Sequence, residues 1–197
     1  MGELMMALKS GINPNKIVFS GVGKTAAEIK YAITKKILLI NAESKSEILE
    51  IEKIAKTKKI KVDIGIRLNP NTDAKTLSQI STGKKENKFG VSEKIFLDLV
   101  EYLKDSKNLS LKCVSVHIGS QILNHKPYEK MLHVLSRVIN KTKFHFDYID
   151  LGGGMGIDYE NNNKKFNLQK YALSIKNFLK KHDSKVIFEP GRSIVGN

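Results

Sequence analysis

The chain has 197 residues, enough for one good hydrophobic core and too few for two large ones. It is 41% hydrophobic, but no apolar run is long enough to span a bilayer, and the opening Met1-Gly2-Glu3-Leu4 carries no basic-then-apolar leader, so neither a membrane role nor secretion is expected. The net charge of +14 raises nucleic-acid binding, yet only Arg67, Arg137 and Arg192 among the 34 basic residues are arginines, the lysines are spread over every predicted helix face, and no aromatics alternate with them, so no nucleic-acid partner is expected.

In chain order, residues 3–10 read as a short helix that packs Leu4, Met5 and Leu8 and ends at Gly11 and Pro14. Lys16 to Ser20 is a strand. Thr25 and Glu28 form a capping box that opens a helix to about Thr34. Lys36 to Ile40 is the next strand, and Ser44 with Glu47 is a second capping box. The helix it opens sets Ile48, Ile51, Ile54 and Ala55 on one face. Val62 to Leu68 is a strand stopped by Asn69-Pro70. Residues 70–91 form a long polar loop holding Ser81-Thr82-Gly83 and Glu86-Asn87-Lys88-Phe89-Gly90, and a loop of that length in a compact α/β domain is usually functional. Ile95, Phe96, Leu99 and Leu103 mark a helix, and Leu111 to Val116 a strand ending at His117. Met131, Leu132, Leu135, Val138 and Ile139 mark another helix. Phe146 to Ile149 is a strand that runs into Asp150-Leu151-Gly152-Gly153-Gly154, and Asn161-Asn162-Asn163 is a polar loop. Ala172, Ile175 and Leu179 mark a helix, and Val186 to Phe188 is the last strand. The lone Cys113, within an apolar strand pattern, makes no internal disulfide and suits packing in a reducing, cytoplasmic compartment.

Six strand–helix repeats with no hairpin signal, built on continuously apolar strands, predict an α/β fold with a parallel sheet covered on both faces. The strands finish in Ser20, Asn41 to Glu43, Asn69, His117, Gly152 and Glu189. Polar groups at the C-terminal ends of parallel strands build the active site of a (β/α)8 barrel, and an open doubly wound sheet binds ligands at the same edge. Two nucleotide motifs fail. Gly21-Val22-Gly23-Lys24-Thr25 has Val18 where a P-loop needs its first glycine, and the glycine run does not fit G-x-G-x-x-G.

Three consecutive glycines after a strand read either as a phosphate cradle of bare backbone N–H groups or as a tight turn that needs positive φ. A strand-end His117 is either a hydrogen-bonded core residue or a ring-binding group, and Glu189 either a ligand-holding carboxylate or an ion-pair partner of Arg192. The other histidines lack metal-ligand spacing, so no metal is expected. Taken together, an anion cradle, an imidazole, a carboxylate and an arginine suit a phosphorylated heteroaromatic cofactor. The carboxylate would keep a ring nitrogen protonated, as pyridoxal 5'-phosphate requires to act as an electron sink.

Several segments, in order, resemble the diaminopimelate decarboxylase family of the alanine-racemase-like pyridoxal-phosphate enzymes: residues 17–25 (IVFSGVGKT), 80–83 (ISTG), 86–90 (ENKFG), 117–122 (HIGSQI), 150–154 (DLGGG) and 189–195 (EPGRSIV). The resemblance covers essentially the whole chain. It implies that His117 stacks on the cofactor ring, that Ser120, Gly152, Gly153 and Gly154 hold its phosphate, and that Glu189 pairs with the pyridine nitrogen. Pro190 and Gly191 belong to the same cofactor-binding segment. Arg192 would bind the phosphate or a substrate carboxylate, where a planar two-point donor is apt, and Arg67 would lie near the phosphate.

The departures shape the expectation as much. The family's Schiff-base lysine sits in a Tyr-Ala-x-Lys-Ala motif that this sequence does not contain, so no catalytic lysine is assigned here. The resemblance therefore implies an incomplete (β/α)8 TIM barrel across residues 1–197, with about six of eight strand–helix units and no C-terminal β-domain. The expected activity of the complete enzyme is conversion of meso-2,6-diaminopimelate to L-lysine and CO2, with this piece inactive alone. An alternative is a non-catalytic remnant or a partner fragment of a split decarboxylase. The resemblance implies a homodimer, and because an open barrel exposes strand edges a complementary fragment is the other expected protein partner.

Overall fold

A computed structural model describes residues 1–72, 89–160 and 166–196. The Ser81-Thr82-Gly83 and Glu86-Asn87-Lys88 segments and the Asn161-Asn162-Asn163 loop lie outside the described residues. The described elements are α1 (Gly2–Lys9), β1 (Val18–Phe19), α2 (Ala26–Thr34), β2 (Leu39–Ala42), α3 (Lys45–Lys58), β3 (Val62–Arg67), α4 (Glu93–Lys104), β4 (Leu109–Ser115), α5 (Lys126–Thr142), β5 (Tyr148–Asp150), α6 (Leu168–Leu179), β6 (Lys185–Ile187) and α7 (Arg192–Val195), with a 3-10 turn at Pro14–Lys16.

All six strands are parallel and pair in sequence order, β1-β2-β3-β4-β5-β6. A doubly wound sheet reverses its strand order and a barrel does not. The curl shows in one contact: the Ser20 hydroxyl, just past β1, donates to Glu189 Oε1, just past β6, at 3.1 Å. The first and last strands of the sheet thus meet across its interior. The architecture is an incomplete α/β barrel with β1 and β6 as its open edges.

Local sequence explains the elements. The Thr25–Glu28 capping box is complete, with each side chain bonded to the other's backbone N–H. The second box is half formed. Ser44 Oγ accepts from the Glu47 N–H, but the Glu47 carboxylate accepts from the Glu43 N–H and pairs with Lys24 Nζ at 2.6 Å. The Lys24 charge, which wins Glu47 away, sits almost wholly buried beside it. The second strand begins at Leu39, not Lys36, because Lys36 takes a left-handed φ of 55°. On α6 the buried face is Tyr171, Ile175 and Phe178, and Ala172 is exposed. Aromatic weight drew the face one residue away from the aliphatic pattern: Tyr171 packs on Tyr128 at 4.7 Å and on Phe166 at 5.5 Å. Ile95 likewise lies exposed on α4, while Phe96 and Leu99 are buried.

The core lies between the helices and the outer face of the sheet and fills the strand interior, with Leu39, Ile40, Ile64, Ile66, Val114 and Ile149 fully buried. Burial of such side chains stabilises by about 1.5–3 kcal/mol each. Cys113 is buried in β4, and its thiol is pushed well up by burial, so it packs and does not react. Among the described residues, no helix is long and apolar enough to cross a membrane.

Candidate active site

Polar residues meet where β2, β4, β5 and β6 end. The glycine turn forms their junction. Gly152 (φ 63°) and Gly154 (φ 91°) occupy the left-handed region. A Cβ on Gly153 would sit 2.0 Å from the Glu189 carbonyl oxygen, and one on Gly154 2.0 Å from the Gly119 carbonyl oxygen. A Cβ on Gly152 would come within 2.6 Å of His117 Nδ1. The glycines therefore let the loops after β4 and β6 close onto the loop after β5. Tyr128, buried in α5, fixes the turn from below by donating to the Gly153 carbonyl at 2.8 Å. Gln121 clamps its far side by exchanging two hydrogen bonds with the backbone of Ile157.

Two of the turn's N–H groups are already engaged. Gly152 donates to Asp150 Oδ1 at 2.9 Å and Gly153 to His117 Nδ1 at 3.2 Å. Among the described residues, the Gly154 N–H and the half-buried Ser120 hydroxyl make no hydrogen bond, and the carbonyl of Gly119, the residue before Ser120, abuts Gly154. The turn reading and the cradle reading thus both apply, with Gly152 and Gly153 shaping the turn and Gly154 presenting the bare donor.

His117 sits at the strand end with its pKa lowered to about 4, first by burial and then by the Arg67 guanidinium. It is neutral near pH 7. Because Nδ1 accepts from Gly153, the ring proton resides on Nε2. Arg67 is held in a buried ion pair with Glu43 at 2.9 Å, with its guanidinium 5.0 Å from the Phe89 ring centre. The second Glu43 oxygen accepts from the Gly90 N–H. Arg67 therefore carries a compensated charge, not a bare one.

Glu189 projects at the exposed mouth, anchored by its N–H to the Gly152 carbonyl at 2.9 Å. It makes no ion pair with Arg192 among the described residues. Arg192 instead donates to the Tyr159 hydroxyl at 2.8 Å and lies over that ring at 5.7 Å, exposed on α7. Pro190 is half-buried and Gly191 exposed, and open space surrounds a Cβ added at Gly191. The structure thus brings His117, Ser120, Gly152, Gly153, Gly154 and Glu189 together, and sets Arg192 to one side.

Four residues that carried no assigned role in the sequence complete the site. Asp150 is fully buried and accepts from Asn41 Nδ2 (2.8 Å), Ser115 Oγ (3.2 Å) and the Gly152 N–H. Burial, with the Glu189 charge second, raises its pKa to about 7. Asn41, Ser115 and Ser20 surround it. The signal available was a polar residue inside an apolar strand, as in Leu39-Ile40-Asn41-Ala42. A neutral planar ring, an N–H and a hydroxyl without hydrogen bonds among the described residues, and a carboxylate, all at neighbouring strand ends, suit a flat, phosphorylated ring with a basic nitrogen.

The sequence pattern of the family described as "Pyridoxal-dependent decarboxylase, pyridoxal binding domain" matches residues 1–196. A diaminopimelate decarboxylase of Helicobacter pylori is 46% identical over 198 residues, covering 99% of this chain and 49% of the relative. One from Aquifex aeolicus is 41% identical, covering 100% and 47%. The crystal structure of diaminopimelate decarboxylase from Helicobacter pylori complexed with L-lysine superposes with a TM-score of 0.94 at 46% identity, over 98% of this chain and 50% of that one. The chain spans about half the length of the curated relatives it matches.

Proposed function

Because the chain belongs to the pyridoxal-dependent decarboxylases, we propose that it supplies the cofactor-holding half of a diaminopimelate decarboxylase. The observation that carries this is the convergence of two loops, those after β4 and β6, on one glycine turn: Gly153 bonded to His117, and Glu189 bonded to Gly152. In this reading His117 packs its neutral ring flat on the cofactor ring. The Gly154 N–H and the Ser120 hydroxyl donate to the phosphate. The Glu189 carboxylate accepts from the protonated ring nitrogen. Bound there, pyridoxal 5'-phosphate supplies a sink for the electron pair left behind when CO2 departs. Arg192 is the donor for the phosphate or a substrate carboxylate, exchanging its bond to Tyr159 for that role. Arg67 acts at longer range, helping to hold His117 neutral.

The substrate proposed for the complete enzyme is meso-2,6-diaminopimelate and the products are L-lysine and CO2. The chain alone, without the Tyr-Ala-x-Lys-Ala motif, turns over no substrate. The test uses pyridoxine 5'-phosphate, whose missing aldehyde keeps the many surface lysines out of the reaction. Calorimetric titration should give saturable binding of one ligand per chain, with pyridoxine lacking the phosphate much weaker. Equal binding of the two, or none, would overturn the proposal.

A second reading, a partner piece that works against a complementary chain, is favoured by apolar exposure at Phe188, just past β6, and at Ile194 and Val195 on α7, which are 43%, 70% and 80% exposed. Such apolar surface beside an open sheet edge invites a covering segment. Sedimentation showing a stable, monodisperse monomer at high concentration would argue against it.

A further inference from the structure

Asn41, Ser20 and Asp150 form a chain of side chains from three strand ends that leads to Glu189. Asn41 Nδ2 lies 2.8 Å from Asp150 Oδ2 and 3.0 Å from Ser20 Oγ, and Ser20 Oγ lies 3.1 Å from Glu189 Oε1. The direction of each bond follows from what each atom has to give. An Asn amide nitrogen has two hydrogens and no lone pair to offer. Turned over, the amide would move its nitrogen, with two hydrogens, into the buried place beside Gly65 where Oδ1 now finds no hydrogen-bond partner, and would take it away from Asp150 and Ser20. Nδ2 therefore donates to both Asp150 and Ser20. The serine hydroxyl has a single hydrogen, and with its lone pair taken by Asn41 that hydrogen points to Glu189.

One further observation shows how strongly this arrangement is held. Asn41 Oδ1 is buried and has no hydrogen-bond partner. A buried orphan acceptor is costly and rare. Here it is the consequence of committing both Nδ2 hydrogens to the chain. The space for it comes from Gly65, where a Cβ would lie 2.0 Å from that oxygen, at the point where the β3–β4 register shifts.

We propose that Asn41 and Ser20 are positioning residues that make Glu189 an obligate acceptor, so that the site selects rings bearing an N–H donor over isosteric rings without one. Oε1 of Glu189 is occupied by the serine hydrogen. Oε2 is left to take the hydrogen of a protonated ring nitrogen. Asp150 is the fixed end of the chain: it pins the amide, and the amide pins the hydroxyl. This inference rests on the reading of Glu189 as the ring-nitrogen partner.

The experiment compares binding of pyridoxine 5'-phosphate with that of its carbocyclic analogue, in which C–H replaces the ring nitrogen. The full chain should prefer the nitrogen-containing ring by about ten- to a hundredfold, the range for a hydrogen bond to a charged group. Ser20→Ala should cut that preference about tenfold, and Ser20→Thr, which keeps the hydroxyl, should restore it. A Ser20→Ala chain with undiminished preference overturns the relay and leaves the function proposed above standing. A native chain that binds both ligands equally, or neither, overturns the Glu189 reading and the relay with it. A ligand-free measurement checks the geometry separately: both Asn41 side-chain amide hydrogens should exchange slowly by NMR, with one of them accelerated in Ser20→Ala. Rapid exchange of both in the native chain would overturn the relay whatever the ligands do.

Discussion

Tyr128→Phe removes one oxygen from beneath the glycine turn and nothing else. The Tyr128 ring is fully buried and packs edge-on against Phe166 at 5.6 Å and against Tyr171 at 4.7 Å, and phenylalanine keeps both contacts. Lost is the 2.8 Å hydrogen bond to the Gly153 carbonyl, which is left as a buried acceptor without its donor. Such a group costs about 1–3 kcal/mol, more than the net worth of an exposed hydrogen bond. For a chain of this length each kcal/mol lowers the melting temperature by about 2–4 °C, so a loss of about 2 kcal/mol predicts a fall of about 4–8 °C. Calorimetry of the two chains at one pH measures it. Because the turn is loosened and not rebuilt, affinity for pyridoxine 5'-phosphate should fall in parallel. An unchanged melting temperature would refute the view that Tyr128 is the turn's structural anchor.

Gly153→Ala should be comparable in stability but harsher on binding, because its Cβ meets the backbone oxygen of Glu189 at 2.0 Å and backbone cannot swing aside. A loss of about 1–3 kcal/mol in denaturant unfolding and no measurable ligand binding are expected. Gly65→Ala should displace Asn41 and flatten the ring-nitrogen preference while phosphate-dependent binding persists. For pH, Asp150 with a folded pKa of about 7 keeps a proton that the unfolded chain, near 3.8, releases, so its contribution to stability falls as pH rises through that window. His117, lowered from 6.5 to about 4, acts oppositely: the unfolded chain takes up a proton first as pH drops, so its contribution rises with pH between those values. The two offset each other from about pH 4 to 6.5. Asp150→Asn should unmask the histidine and give melting temperatures that climb more steeply with pH than those of the native chain. Parallel profiles would contradict the assignment.

The parallel α/β sheet was legible in the sequence because parallel strands leave two strong signatures, unbroken apolar runs and polar residues at their C-terminal ends; that it curls into a barrel and not an open doubly wound sheet came only from the family resemblance. Residues at those ends, His117, the glycines and Glu189, do converge. Less legible was the state of each group. Arg67 was expected near the phosphate, but its guanidinium is paired with Glu43, twenty-four residues earlier. Three glycines read as three donors, but two point inward to Asp150 and His117. The Asn41–Ser20–Glu189 chain closes between the ends of β1 and β6, which meet only once the sheet curls, and periodicity within one strand carries no trace of that. Edge placement also misled locally: on α6 the aromatic Tyr171 displaced Ala172 from the core, since burying a large ring outweighs burying a methyl group.

The most direct test of the central claim is a backbone amide NMR map of the chain titrated with pyridoxine 5'-phosphate. The account predicts that the largest shifts fall on Gly154, Ser120, His117 and Glu189, saturating together with a single affinity. Shifts scattered over surface lysines, or gathered in the groove between α5 and α6 lined by Leu132, His133 and Phe178, would contradict it.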